Sequence, residues 1–154
     1  MKTKLFSLIA GLLLFLLPVS CQAADYSNYL TVNEVQLITG LSDLTLKSID
    51  AKKSGEAADL TYLTANGLPV MMVQILNGSD YERYYSDLRC QDYRAMDYAF
   101  WGPKDATPDN PPTLLAFRKN DVLIVIGSGL NADNQPFLKN YMFEKAANLI
   151  ASRL

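Results

Sequence analysis

Aromatic side chains with polar tips crowd one short span of this sequence: Tyr81, Tyr84, Tyr85, Tyr93, Tyr98, Phe100 and Trp101. Each tyrosine offers a rigid ring and one hydrogen-bonding atom, a combination that suits a groove for a small molecule, a glycan or a peptide. Tyr84, Tyr93, Tyr98 and Trp101 are therefore the candidate ligand-binding residues. A structural role competes with this reading. Tyr81, Tyr84, Tyr85 and Leu88 fall at i, i+3, i+4 and i+7, one face of a helix, so Tyr81, Tyr85 and Leu88 are expected to pack on a sheet while Phe100 faces the core. Trp101, followed by Gly102-Pro103 at a loop's edge, is the ring least expected to serve the core alone.

Carboxylates are the other candidates. Asp and Glu alone suffice for glycosidase-like work, and Asp92, Asp97, Asp105 and Asp109 are the residues to consider. Asp105 and Asp109 stand in a proline-rich segment where turn-forming Asp is expected in any case, and no calcium-loop spacing is present. The sequence has no histidine, which removes His-based catalysis, His metal ligation and the usual serine or cysteine triads. Gly127-Ser128-Gly129 lacks the spacing of a dinucleotide fingerprint, and no phosphate loop occurs. No catalytic residue, metal site or cofactor is assigned, and the chain reads as a non-enzyme.

The N-terminus sets the expected compartment. Lys2 and Lys4 precede an apolar run of 13 residues, Leu5 to Leu17, then Pro18 and small residues at Ser20, Cys21, Ala23 and Ala24. This is the three-part pattern of a secretory signal peptide, and the run is too short to span a membrane, which takes about 20 residues. Residues 1–23 read as the signal peptide and 24–154 as one α+β domain of a periplasmic or secreted protein. Cleavage before Ala24 is preferred because Cys21-Gln22-Ala23 meets the small-x-small rule without exception. The alternative is a lipoprotein anchored through a lipidated Cys21, since Val19 and Ser20 suit that pattern while Pro18 departs from it. In either case Cys90 is left alone, as a buried small apolar side chain or an intermolecular partner.

Removing Lys2 and Lys4 lowers the basic count from 14 to 12 against 16 acids, a net charge of −4. No basic stripe remains, which argues against nucleic acid and against an anionic membrane surface. No second long apolar run occurs, so no transmembrane segment is expected in the mature chain.

The 131 residues that remain of 154 are the size of one domain. Thr31 and Glu34 form a capping box, Leu30 and Val35 a hydrophobic staple, and Gly40 a stop, which predicts a short N-terminal helix. Strands are predicted at 44–49, 60–64, 69–76 and 97–101, with Ala65-Asn66-Gly67 as a hairpin turn. Ser79 to Glu82 reads as a second capping box opening the tyrosine-bearing helix. Residues 102–112 hold four of the mature chain's six prolines and form a loop.

Thr113 to Gly127 reads as one hairpin reversing at Lys119-Asn120-Asp121. Its second arm, Val122 to Ile126, has no polar alternation and is expected in the centre of a sheet, buried on both faces. A terminal helix is predicted to be capped by Asn134 or Gln135, with Pro136 in its first turn. Its buried stripe would be Leu138, Tyr141, Met142, Ala146, Leu149 and Ile150. After the short helix the chain thus repeats a strand, hairpin and helix. Two βββα units are expected to share one antiparallel sheet of about six strands, with helices on one face.

Asp97-Tyr98-Ala99-Phe100-Trp101, a loop, a hairpin with a charged turn and a C-terminal helix resemble the second half of small uncharacterised bacterial secreted proteins and lipoproteins. Those carry a Gly-x-Gly-Asp-x-Ala segment before a similar strand pair. Asp97 and Ala99 match that segment, whereas Arg94 and Met96 replace its glycines. The resemblance covers residues 94–154, implies an extracytoplasmic α+β domain and supplies no catalytic residue. The combined expectation is an exported non-enzymatic module that binds a small ligand or an envelope protein. The alternatives are a carboxylate-based hydrolase and a structural partner in an envelope assembly, the latter served by an exposed edge strand or a Cys90 dimer.

Overall fold

The computed structural model describes residues 26–49 and 57–154. The expected signal peptide, Cys21, and the Lys52-Lys53 stretch of the polar loop lie outside the described residues. A 3-10 turn, Tyr26–Tyr29, leads into helix α1, Val32–Thr39. Thr31 and Glu34 form the reciprocal cap, and Gly40 closes the helix at φ 72° with its N–H on the Gln36 carbonyl.

Seven strands follow: β1 (Thr45–Ile49), β2 (Ala58–Leu63), β3 (Pro69–Asn77), β4 (Gln91–Asp92), β5 (Ala99–Gly102), β6 (Leu114–Lys119) and β7 (Val122–Ser128). Helix α2, Tyr81–Leu88, follows β3, and helix α3, Asn140–Ala151, closes the chain. The strands form a single antiparallel sheet in the order β1-β2-β3-β7-β6-β5-β4.

The class is α+β with one antiparallel sheet. The sheet has seven strands rather than about six. The addition is β4, two exposed residues that pair Gln91 with Trp101 and Asp92 with Phe100. The order shows two three-strand meanders, β1-β2-β3 and β5-β6-β7, joined where β3 pairs with β7 over Met71–Asn77 and Val122–Ser128. As expected of its uninterrupted apolar run, β7 is the central strand. The β6–β7 hairpin turns on Asn120-Asp121, with Asn120 in the left-handed region at φ 52°.

The helices do not share one face. Side chains alternate across a strand, and both sides of this sheet carry a core. On one side Trp101, Leu115, Phe117, Ile124 and Ile126 join Val35 and Ile38 of α1 and Met142, Phe143, Ala146, Ala147 and Ile150 of α3. On the other, Phe100, Ala116, Leu123 and Val125 pack against Tyr81, Tyr84, Tyr85 and Leu88 of α2. A two-fold axis normal to the sheet between β3 and β7 would exchange the meanders and keep both following helices on one side. The repeat therefore holds for the strands and fails for the helices.

The reason is local. A 3-10 turn, Gly78–Asp80, joins β3 to α2 with no linker, and the Gly78 N–H bonds the Asp121 carbonyl at 2.7 Å. The expected Ser79–Glu82 capping box does not form: Asn77 Oδ1 accepts from the Ser79 N–H at 2.9 Å, and Asp80 enters α2 without a side-chain cap.

Helix α3 also begins later than expected. Residues 129–139 cross between layers, with Leu130 bridged to Pro136, and Lys139 takes the N-cap position. Pro136 and Leu138 precede the helix, and Tyr141 is exposed rather than part of its buried stripe.

The two ends of the domain are tied together. Arg153 makes a two-pronged pair with Glu34, at 2.9 and 2.5 Å, and donates to the Tyr29 carbonyl at 2.8 Å. Beneath it, the buried Tyr62 hydroxyl donates to the Leu30 carbonyl.

Candidate functional site

The site is built on the antiparallel pair β4–β5 and the helix that packs over it. Between these strands the chain makes a compact turn. The Tyr93 N–H bonds the Ala99 carbonyl at 2.9 Å, and the Arg118 N–H of β6 bonds the Tyr98 carbonyl at 3.0 Å. These two bonds hold Tyr98 at φ 50°, a conformation uncommon for a residue with a side chain. Its ring stands out from the fold, 63% exposed, with the Arg118 guanidinium 5.5 Å from its centroid.

Behind Tyr98 lies a lattice of rings meeting edge to face. Tyr81 meets Tyr98 at 5.9 Å and Phe100 at 5.9 Å, and Tyr85 meets Phe100 at 5.5 Å. Such contacts add about 0.5–1.5 kcal/mol each beyond area burial. The result is an open cleft of 450 Å³ lined by Tyr81, Glu82, Tyr85, Asp92, Tyr93, Arg94, Met96, Asp97, Tyr98 and Ala99.

Polar groups are arranged around these rings. The Tyr85 hydroxyl donates to Asp92 Oδ1 at 2.9 Å, and Arg89 donates to the same oxygen at 3.2 Å while lying 4.5 Å over the Tyr85 ring. The ion pairs among the described residues are Arg83–Asp80, Arg89–Asp92 and Arg153–Glu34, which leaves Glu82, Asp97 and Arg94 unpaired around the cleft.

Burial pushes the Tyr81 hydroxyl up to about 12. The bond to Asp92 raises Tyr85, and burial raises Tyr93. All three hydroxyls stay neutral and hydrogen-bonding through the physiological range. Among the described residues no three Cys, Asp or Glu side chains converge as a metal site.

Of the four residues expected to bind ligand, Tyr93 and Tyr98 line this cleft, but the Tyr93 ring packs on Trp101 in the core on the other side of the sheet, so Tyr98 is the one whose ring stands in the cleft. Tyr84 lines a separate hollow of 160 Å³ with Arg83, Asp87 and Leu88, and Arg83 lies 5.1 Å over its ring. Trp101 is core: 4% exposed, edge-on to Tyr93 at 5.5 Å and to Phe143 at 5.6 Å, on the sheet face opposite α2. Neighbouring strand residues face opposite ways, so Phe100 and Trp101 enter different cores, each covered by a helix.

Asp92 and Asp97 line the cleft, whereas Asp105 and Asp109 are exposed elsewhere on the proline-rich loop. Cys90 is half-buried, its thiol 3.2 Å from the Trp101 carbonyl, beside a 300 Å³ hollow under that loop. Helical spacing accounts for Tyr81 and Tyr85 as packing residues, and nothing in the sequence marks Glu82, Arg94 or Met96 as part of a site. The helical face at 81, 84, 85 and 88 was visible, but the two-residue strand that folds 92–97 against it was not.

No helix among the described residues is long and apolar enough to cross a membrane. No protein-family model, curated protein or solved structure matches the chain.

Proposed function

We propose that the protein is an exported, non-enzymatic binding module whose ligand occupies the tyrosine cleft between α2 and the β4–β5 turn. The observation that carries this reading is Tyr98, a large ring held out at a left-handed backbone position and 63% exposed above a cleft of tyrosines and unpaired charges. A ring needed only for packing would be buried, and burial of such a ring is favourable by about 1.5–3 kcal/mol. Glu82, Asp97 and Arg94 supply acceptors and donors around it, as ligand sites do with a few polar groups among rings. Export is supported by the charged, apolar and small-residue sequence of positions 2–24.

The test is amide chemical-shift mapping on addition of a small-molecule extract of the protein's own envelope. The expected result is shifts confined to residues 81–99. An absence of shifts, or shifts concentrated elsewhere, overturns the assignment. A carboxylate-based hydrolase is the second reading, favoured by the gathering of Glu82, Asp92 and Asp97 in one cleft. Turnover of a bound ligand, lost in Asp97→Asn, would replace the non-enzymatic reading with that one.

A further inference from the structure

The cleft's charge, its rings and the pairing of its strands together narrow the ligand. Glu82, Asp92, Asp97 and Arg94 line the cleft, while Arg89, bonded to Asp92, and Arg118, 5.5 Å from the Tyr98 ring, stand at its margin. With charges of both signs interspersed there, a strongly charged ligand finds no single-sign field to follow into the cleft.

A peptide would need a free strand edge, a helix groove or apolar side-chain pockets. Strand β5, which forms the wall, is paired on both sides, by β4 and by β6, and the free edge beside it, β4, offers only two residues, Gln91 and Asp92, too few to add a peptide strand. Beyond the rings, the apolar lining is Met96 and Ala99.

We infer that the cleft takes a neutral oligosaccharide, stacked by the apolar face of one sugar ring on Tyr98 and held through its hydroxyls by Glu82, Asp97 and Arg94. A sugar hydroxyl both donates and accepts. The unpaired carboxylates can only accept and the guanidinium can only donate, so neighbouring hydroxyls satisfy both kinds of group at once. Asp92 is already engaged by Tyr85 and Arg89 and acts as the fixed corner that orients these two side chains. The 450 Å³ of open space is within the range of about 300–1,000 Å³ typical of ligand sites, and its openness suits a chain running through it. This assignment rests on the reading of the cleft as the binding site.

The experiment titrates the full mature chain with maltotetraose, cellotetraose and tetra-N-acetylchitotetraose, following amide shifts at low and high sodium chloride. At least one tetrasaccharide is expected to saturate residues 81–99 with a Kd below about 1 mM, changing less than about twofold between the two salt conditions because screening does not touch a neutral ligand. Tyr98→Asn removes the ring while keeping a residue that tolerates the left-handed backbone. It is expected to weaken binding at least about tenfold, the loss of roughly 1.4 kcal/mol of contact, without changing the circular dichroism spectrum. No shift with any of the three at about 10 mM, or equal binding by Tyr98→Asn, overturns the sugar assignment. A salt-sensitive peptide that shifts the same amides also overturns it, yet leaves the binding-module reading standing. Envelope extract and sugars both without effect on residues 81–99 would remove both.

Discussion

Replacing Trp101 with alanine separates the core from the cleft. The indole is 4% exposed, wedged between Tyr93 at 5.5 Å and Phe143 at 5.6 Å, and so ties the β4–β5 end of the sheet to α3. Its main chain is held independently, because the Trp101 carbonyl accepts the Cys90 N–H at 2.8 Å and β5 pairs with β6 at Leu115. The substitution therefore removes packing without removing a strand. Burying about 200 Å² of ring at 25 cal/mol per Å² is worth about 5 kcal/mol, and aromatic-to-alanine changes in cores cost about 3–5 kcal/mol.

A domain of this size loses roughly 3–5 °C of melting temperature per kcal/mol, so Trp101→Ala should melt about 10–20 °C lower. Urea unfolding followed by far-UV circular dichroism gives the free energy, with the slope checked for an unchanged unfolding transition. Trp101→Phe should fall between alanine and wild type. As the sole tryptophan, Trp101 should also emit at short wavelength and resist quenching by acrylamide. A cost below about 1 kcal/mol, or an easily quenched indole, would refute its placement in the core.

Three further outcomes follow from the same geometry. Arg153 holds the Glu34 carboxyl down at about 2 against an ordinary 4.5, so this pair stabilises fully above pH 4.5 and its contribution is lost as pH falls from 4.5 to 2. Glu34→Gln should cost about 1–2 kcal/mol at pH 7, allowing for solvent screening, and should flatten acid unfolding over that window; an unchanged acid limb would contradict the pairing. At the other end of the scale, burial raises Tyr81 to about 12, so its contribution is full below pH 10 and lost as pH rises through 12. Absorbance titration should show Tyr81→Phe removing one late-ionising phenol. Gly129→Ala would place a Cβ 1.7 Å from the Pro69 carbonyl oxygen and should cost about 3 kcal/mol or more. Gly40→Ala meets nothing within 4 Å and should cost only the roughly 1–2 kcal/mol of its φ of 72°; equal melting points for the two would contradict the close approach of β3 and β7.

Much of the sheet was legible in the sequence because its signals are local. The branched run Val122 to Ile126 marked the central strand, Asn66-Gly67 and Asn120-Asp121 marked hairpins, and Thr31 with Glu34 marked the entry to α1. What the sequence withheld depends on partners distant in the chain. Gln91-Asp92 has no pattern of its own and becomes a strand only by pairing with Phe100 and Trp101. Pro136 fits a first helical turn as well as it fits the bridge to Leu130, and only the crossing of 129–139 between layers decides.

The candidate site was half legible for the same reason. Tyr98 and Trp101 are three residues apart and look alike as loop-edge aromatics. Yet Tyr98 is left outside by the turn that Tyr93 and Arg118 clamp, while Trp101 points into the core under α3. Sequence alternation cannot tell an outward face from a second core when helices cover both sides.

The most direct measurement is the native intact mass of the purified mature chain with the small-molecule extract of its own envelope added back, beside Tyr98→Asn prepared in the same way. The wild type should show the mass of Ala24–Leu154 plus a small bound molecule, and the variant the bare chain. Bare chain in both, or the same adduct retained by Tyr98→Asn, would contradict the claim that the tyrosine cleft is where this protein works.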